Sequence, residues 1–178
     1  NCTKYVCTCF DEAFKVKLNM LGIHNVYNAL AATATARVLG VDVNRIQKAL
    51  SEFLPGTQRQ FFTKINGVTV IDDSYNANPL SMEMAFHAMH QVNGKHYFLV
   101  LGDMGELGEK EEQFHYELGK IAANIGFDGM ITVGKLSRHT AMGARDAGKT
   151  NITECTTCEE AWQRLQKMVQ SGDVVLVK

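Results

Sequence analysis

Nowhere does this 178-residue chain hold an apolar run near the roughly 20 residues that a membrane-crossing helix needs, and no membrane span is expected. An excess of charge of one sign is also missing. The 18 Lys and Arg against 19 Asp and Glu leave a net charge of −1. No long-range field then draws the chain toward nucleic acid, and no nucleic-acid partner is expected. The opening NCTKYVCTCF lacks the apolar segment and cleavage site of a secretory signal, which points to a cytoplasmic location. There is no internal repeat, no low-complexity segment and no Gly-x-Ser-x-Gly elbow. His87, His90, His96, His115 and His139 show no mutual metal spacing, so no metal site is expected from them.

The five cysteines are an odd number in a chain long enough to bury a core without staples, which argues against a disulfide framework. Cys2, Cys7, Cys9, Cys155 and Cys158 read as reduced thiols, four of which the pattern places: two on a strand (Cys7, Cys9), one at a strand end (Cys155) and one beside a helix start (Cys158). A weaker reading makes CTTC at 155–158 half of a zinc site, with Cys7 and Cys9 as the other half. Composition is that of a soluble globular protein, with 46% hydrophobic and 21% charged residues.

Two regimes follow one another, divided at the Pro55-Gly56 turn into 1–55 and 56–178. The first opens with strand-like TKYVCTCF and AFKVKLN. Apolar residues at helical spacing then predict a helix from Ile23 to Leu39 and another over DVNRIQKALSEFL. The second opens on QFFTKI and VTVIDD around Asn66-Gly67, the strongest short hairpin signal. Helices are predicted over 80–92, 111–125, 136–147 and 158–170, alternating with YFLVLG, GMITVG, NITEC and DVVLVK. Continuously apolar strands alternating with helices argue an α/β fold, a mostly parallel sheet with helices on both faces.

Residues 143–150, GARDAGKT, fit the phosphate-loop pattern G-x-x-x-x-G-K-[ST]. Such a loop must follow a strand and open a helix. Here a helix precedes it and a strand follows, so Gly148 reads as a helix terminus and Lys149 falls on the edge away from the usual ligand crevice.

Better candidates lie after strands. In IDDSYNANPLSM (71–82), Asp72 and Asp73 can accept bonds from sugar hydroxyls, and Ser74, Asn76 and Asn78 offer polar groups to a substrate. The competing reading is that they shape the turn and cap the following helix, with Pro79 at its first position. In LGDMGELGEKEEQFH (101–115), Gly102, Gly105 and Gly108 permit tight turns near a ligand, with Asp103 and Glu106 as acidic groups; the alternative is an acidic helix start. In GIHNVYNALAA (22–32), His24, Asn25 and Asn28 cluster at a helix start, where side-chain amides suit an adenine edge, or where an asparagine simply caps. Arg59 follows the Pro-Gly turn as a possible phosphate ligand, or as a solvated arginine.

In this order the three segments resemble the Mur ligases, the ATP-dependent amide-forming enzymes of peptidoglycan synthesis. GIHNVYNALAA resembles a segment at the end of that family's central ATPase domain. SYNANP and GDMGELG resemble the branch that joins D-alanyl-D-alanine to UDP-N-acetylmuramoyl-tripeptide. The resemblance implies a Rossmann-like C-terminal domain preceded by the helical tail of the ATPase domain. It implies that His24, Asn25 and Asn28 approach adenine, Arg59 the phosphates and Asp73 the ribose. Ser74, Asn76, Asn78, Asp103 and Glu106 would lie near the dipeptide. ATP and Mg2+ would serve the longer enzyme, whose phosphate loop and metal ligands belong upstream. This chain is therefore expected to be a C-terminal fragment, monomeric, inactive alone and without catalytic residues of its own. One departure is Gln58-Arg59, where family members often have Gly-Arg.

Overall fold

A computed structural model describes residues 2–56 and 58–178. They form two compact units, Asn1–Gly56 and Thr57–Lys178.

In the first unit, strands β1 (Thr3–Cys9) and β2 (Glu12–Leu18) pair antiparallel, with Cys7 opposite Phe14 and Tyr5 opposite Val16. Alternation buries Phe14, Val16 and Leu18 on one face of β2. Helices α1 (Ile23–Val38) and α2 (Val43–Glu52) follow, the second capped by Asp42, whose carboxylate accepts the Arg45 amide at 3.1 Å. Cys7, Phe14, Val16 and Ile46 form the core of this unit.

The second unit is built on a six-stranded sheet in the order β3-β4-β8-β5-β6-β7. Strand β3 (Phe61–Ile65) turns back into β4 (Val68–Asp72) through Asn66 at φ 50° and Gly67 at φ 83°, a pair of left-handed residues that matches the twist of the hairpin. All other pairings, among β4, β5 (Tyr97–Leu101), β6 (Gly129–Val133), β7 (Ile152–Cys155) and β8 (Val174–Val177), are parallel.

One row of side chains, Ile71, Leu176, Leu99 and Met130, runs in register across four strands, none more than 3% exposed. The alternate residues Val68, Val175, Phe98 and Ile131 pack with Ala161 and Leu165 of α6 (Cys158–Met168). Helices α3 (Pro79–Met89), α4 (Glu111–Ile125) and α5 (Ser137–Asp146) pack on one another in sequence and cover the opposite face. Both faces of the sheet are thus buried, which is why its strands read as unbroken apolar runs.

Three helices end two or three residues earlier than their apolar pattern predicts. α2 stops at Glu52, where Phe53 turns extended at ψ 127°. α3 stops at Met89, and Gln91 and Val92 turn back onto the carbonyls of Ala88 and Met89. α6 stops at Met168 because Val169 is extended and the Asp173 carboxylate takes the Gln170 amide at 2.8 Å.

Candidate functional site at the carboxyl edge of the sheet

The loop after β4 is organised around one ion pair. Lys178 Nζ lies 2.5 Å from Asp73 Oδ2 and also donates to the carbonyls of Asp73 at 3.3 Å and Asn76 at 3.1 Å. Only 4% of the lysine side chain and 17% of the aspartate side chain are exposed, so the pair is shielded from solvent screening. The second Asp73 oxygen accepts the Gln60 amide at 3.1 Å. Asp72 Oδ1 receives both the amide and the hydroxyl of Ser74 at 3.1 and 2.6 Å, an Asx turn that sets the direction of the loop. Asn76 Oδ1 accepts the Ala77 amide at 2.8 Å. Asn78 begins α3 through a reciprocal box: its Oδ1 accepts the Ser81 amide at 2.9 Å, and Ser81 Oγ accepts the Asn78 amide at 3.1 Å.

The loop after β5 is tied to its neighbour by Asp103. That carboxylate accepts the amides of Lys135 at 3.1 Å, Leu136 at 3.0 Å and Ser137 at 2.7 Å, satisfying the otherwise orphaned donors at the start of α5. Burial works to raise its pKa, but the amides from Ser137, Leu136 and Lys135 outweigh it and hold the carboxyl below the usual carboxylate range. Gly134 is required beside it. Its φ is 127°, and a Cβ there would overlap the Asp103 carboxylate.

These two loops meet. A cleft of about 420 Å³ is lined by Ser74, Asn76, Gly102, Asp103 and Gly105, with Lys178 and Cys158 also on its wall. It sits at the carboxyl ends of β4, β8, β5 and β6, the edge at which open α/β sheets take ligands. Asn78 and Glu106 are not on that wall: Asn78 caps α3, and Glu106 is exposed at φ 60°. A second groove of about 170 Å³, between β4 and α6, is lined by Ile65, Val70, Trp162 and Val169 and by no titratable group.

Arg59 is exposed, with its guanidinium 3.9 Å from the centroid of the Tyr75 ring. It stands between Gln58 at φ 63° and Gln60 at φ 49°, two left-handed residues without a glycine. In the first unit, Asn25 is buried, and its Nδ2 donates to the Leu21 carbonyl at 2.8 Å and lies 3.0 Å from His24 Nε2. That amide nitrogen is thus engaged by the residue ahead of α1 and by its own neighbour, whereas Asn28, one turn on, is exposed.

GARDAGKT is a helix end. Gly148, at φ 90°, donates to the Arg145 carbonyl at 2.8 Å and Lys149 to the Ala144 carbonyl at 3.0 Å, the paired bonds of a Schellman terminus. Lys149 Nζ bonds the Phe127 carbonyl at 3.1 Å and sits over the Phe127 ring. Gly143 is small because α4 passes there: a Cβ would overlap the Tyr116 carbonyl. The zinc reading finds no support, since among the described residues no group of three or more His, Cys, Asp or Glu could hold a metal. The cysteines are free, and burial pushes the Cys7 and Cys155 thiols up.

A profile of the Mur ligase glutamate ligase domain matches residues 59–178, the whole sheet and every residue of the cleft. The chain belongs to the Mur ligase family. A UDP-N-acetylmuramoyl-tripeptide–D-alanyl-D-alanine ligase of Bacillus subtilis is 35% identical over 162 residues, covering 89% of this chain and 35% of the relative. Its counterpart in Escherichia coli is 35% identical over 142 residues, covering 77% and 31%. The crystal structure of MurF from Acinetobacter baumannii superposes with a TM-score of 0.88 at 31% identity over 99% of this chain and 38% of that one. MurF ligase from Thermotoga maritima in complex with ADP gives 0.83 at 28% identity, over 99% and 40%. This chain therefore spans about a third of the length of the curated Mur ligases it matches.

Sequence reasoning missed Lys178 and Gly134 at this edge, and named Tyr75 only as a polar residue of the loop, without its contact with Arg59. Lys178 carried a signal in retrospect: a lysine ending a strand as apolar as DVVLV is buried at one end of a parallel sheet, and such a charge needs a partner. Nothing local marks Gly134, because its constraint comes from a carboxylate 31 positions earlier.

Proposed function

We propose that this chain forms the dipeptide-accepting end of an ATP-dependent ligase that joins D-alanyl-D-alanine to UDP-N-acetylmuramoyl-tripeptide. The observation that carries this reading is the convergence of the 74–77 and 102–105 loops on one cleft at the carboxyl edge of the sheet. The Bacillus subtilis and Escherichia coli relatives share one ligase activity, which supports the substrate pair.

In that reaction ATP activates the tripeptide carboxylate as an acyl phosphate. The dipeptide amine attacks the acyl carbon, a C–N bond forms, the C–O bond to phosphate breaks with its electron pair, and the nitrogen loses a proton. Ser74 and the Asn76 amide would hold the polar ends of the dipeptide. Asp103 would shape the wall rather than bind directly, since both its oxygens already accept amides. Asn78 and Glu106 would act outside the first contacts.

Asn28, with His24 and Asn25 behind it, would face adenine. Arg59, whose guanidinium lies over the Tyr75 ring and forms no ion pair among the described residues, presents a cation suited to phosphate. Asp73, oriented by Lys178, would reach the ribose. Among the described residues no group of three or more His, Cys, Asp or Glu is gathered that would hold Mg2+. The phosphate loop and metal ligands fall to the part of the longer relatives that this chain does not match. We place the enzyme in the cytoplasm as a monomer, with this chain inactive alone.

Amide chemical-shift mapping on the 178-residue chain tests the dipeptide site. Added D-alanyl-D-alanine should move resonances of 74–77 and 102–105. Shifts confined to the Trp162 groove, or none at saturating dipeptide, would reject the cleft.

A further inference from the structure

His115 lies on α4, outside the cleft, and has no exposed surface. Its two ring nitrogens have partners that fix its chemistry. Nε2 receives the Met104 amide at 2.9 Å, and Nδ1 is 2.7 Å from the Glu111 carbonyl one helical turn earlier. An amide N–H only donates and a carbonyl only accepts. Nε2 must therefore be the bare acceptor and Nδ1 must carry the hydrogen. A protonated ring would point an N–H at the Met104 N–H.

The Met104 peptide joins two residues of the cleft wall, Asp103 and Gly105. Asp103 before it is bonded to the start of α5, Gly105 after it lines the cleft, and the Met104 side chain is itself fully buried. The wall is thus pinned at two adjacent points, by the Asp103 carboxylate and by the His115 ring. Among the described residues the Met104 amide has no other acceptor, and a buried amide without a partner drives its segment to rearrange.

We propose that His115, as a fixed neutral Nδ1–H imidazole, is a positioning residue that sets the shape of the 102–105 wall and through it the affinity for the incoming dipeptide. The dipeptide half of this statement rests on the functional reading above; the anchoring half does not.

Two variants separate the roles. His115→Gln keeps an acceptor near the position of Nε2, whereas His115→Phe keeps a ring and removes the acceptor. In the 178-residue chain, ring 15N resonances should report Nδ1 protonated and Nε2 bare. The Met104 amide should exchange slowly in the wild type and in His115→Gln, and much faster in His115→Phe. In a ligase assembled from this chain and its upstream part, His115→Phe should raise KM for D-alanyl-D-alanine by about tenfold or more while KM for ATP stays within about twofold, and His115→Gln should restore most of the difference. An Nε2–H ring, unchanged Met104 exchange in His115→Phe, or equal rises in both KM values would overturn the proposal. A wild-type assembly that never saturates with the dipeptide would instead defeat the functional reading, and the exchange result alone would then decide the anchoring.

Discussion

Lys178 and Asp73 stand 105 positions apart in sequence and 2.5 Å apart in the structure, at the carboxyl ends of two neighbouring parallel strands. The ammonium also holds the carbonyls of Asp73 and Asn76, so one side chain fixes both ends of the loop that lines the cleft. Removing the lysine leaves a carboxylate and two carbonyls without their donor in a largely enclosed place. Lys178→Met, which keeps the aliphatic stem, should destabilise the second unit by about 2–4 kcal/mol, read as a shift in the urea midpoint. Adding Asp73→Asn to it should recover part of that loss, because the pair no longer leaves a lone charge. Strictly additive losses would show that the two side chains do not act together.

Asp103 gives the second unit a dependence on acid. Its carboxyl is held below the usual range in the folded state, so its contribution is present above the unfolded pKa of about 4 and is lost as pH falls through the lower folded value. Asp103→Ala should therefore cost about 0.5–2 kcal/mol at neutral pH and progressively less below about pH 4. Gly134→Ala should produce a similar loss by displacing the same carboxylate. A cost for Asp103→Ala that stays constant from pH 7 to pH 2 would contradict this assignment.

Gly143 and Lys149 of GARDAGKT should behave as structural residues. Gly143→Ala forces α4 and α5 apart at Tyr116 and should cost about 1–3 kcal/mol. Lys149→Ala loses one carbonyl bond and the Phe127 ring contact, worth about 1 kcal/mol, and should leave nucleotide affinity unchanged. Calorimetry with ATP on an assembled enzyme checks the second statement.

Gln58 occupies a left-handed conformation at φ 63°, where a glycine has no Cβ to strain. Gln58→Gly should stabilise the second unit by about 0.5–1 kcal/mol without moving Arg59. Thermal melting of the single variant is sufficient, and a lowered midpoint would mean the Gln58 side chain makes contacts that outweigh its backbone strain.

Element type and order could be read from the chain, because period-2 and period-3.6 patterns are local and the Asn66-Gly67 turn declares itself in two residues. The two loops that line the cleft were also legible, since polar clusters after apolar strands must lie at the carboxyl edge of a parallel sheet. What each side chain does there was not. Asn78 and Asp103 look alike as candidate ligands, yet one caps the helix beside it and the other caps a helix more than thirty residues away. Asn25 and Asn28 share a helix face in the sequence pattern, but the structure buries the first and exposes the second. These distinctions depend on contacts between segments distant in the chain, which periodicity cannot register.

The most direct test of the account is phosphate release by this chain mixed with the upstream part of the ligase, ATP, UDP-N-acetylmuramoyl-tripeptide and D-alanyl-D-alanine, in wild-type, Asp73→Asn and Lys149→Ala forms whose folding is checked by melting. The account predicts dipeptide-dependent release that falls by at least about tenfold in folded Asp73→Asn and is unchanged in Lys149→Ala. Release that survives Asp73→Asn but disappears with Lys149→Ala would contradict it and return the chemistry to GARDAGKT.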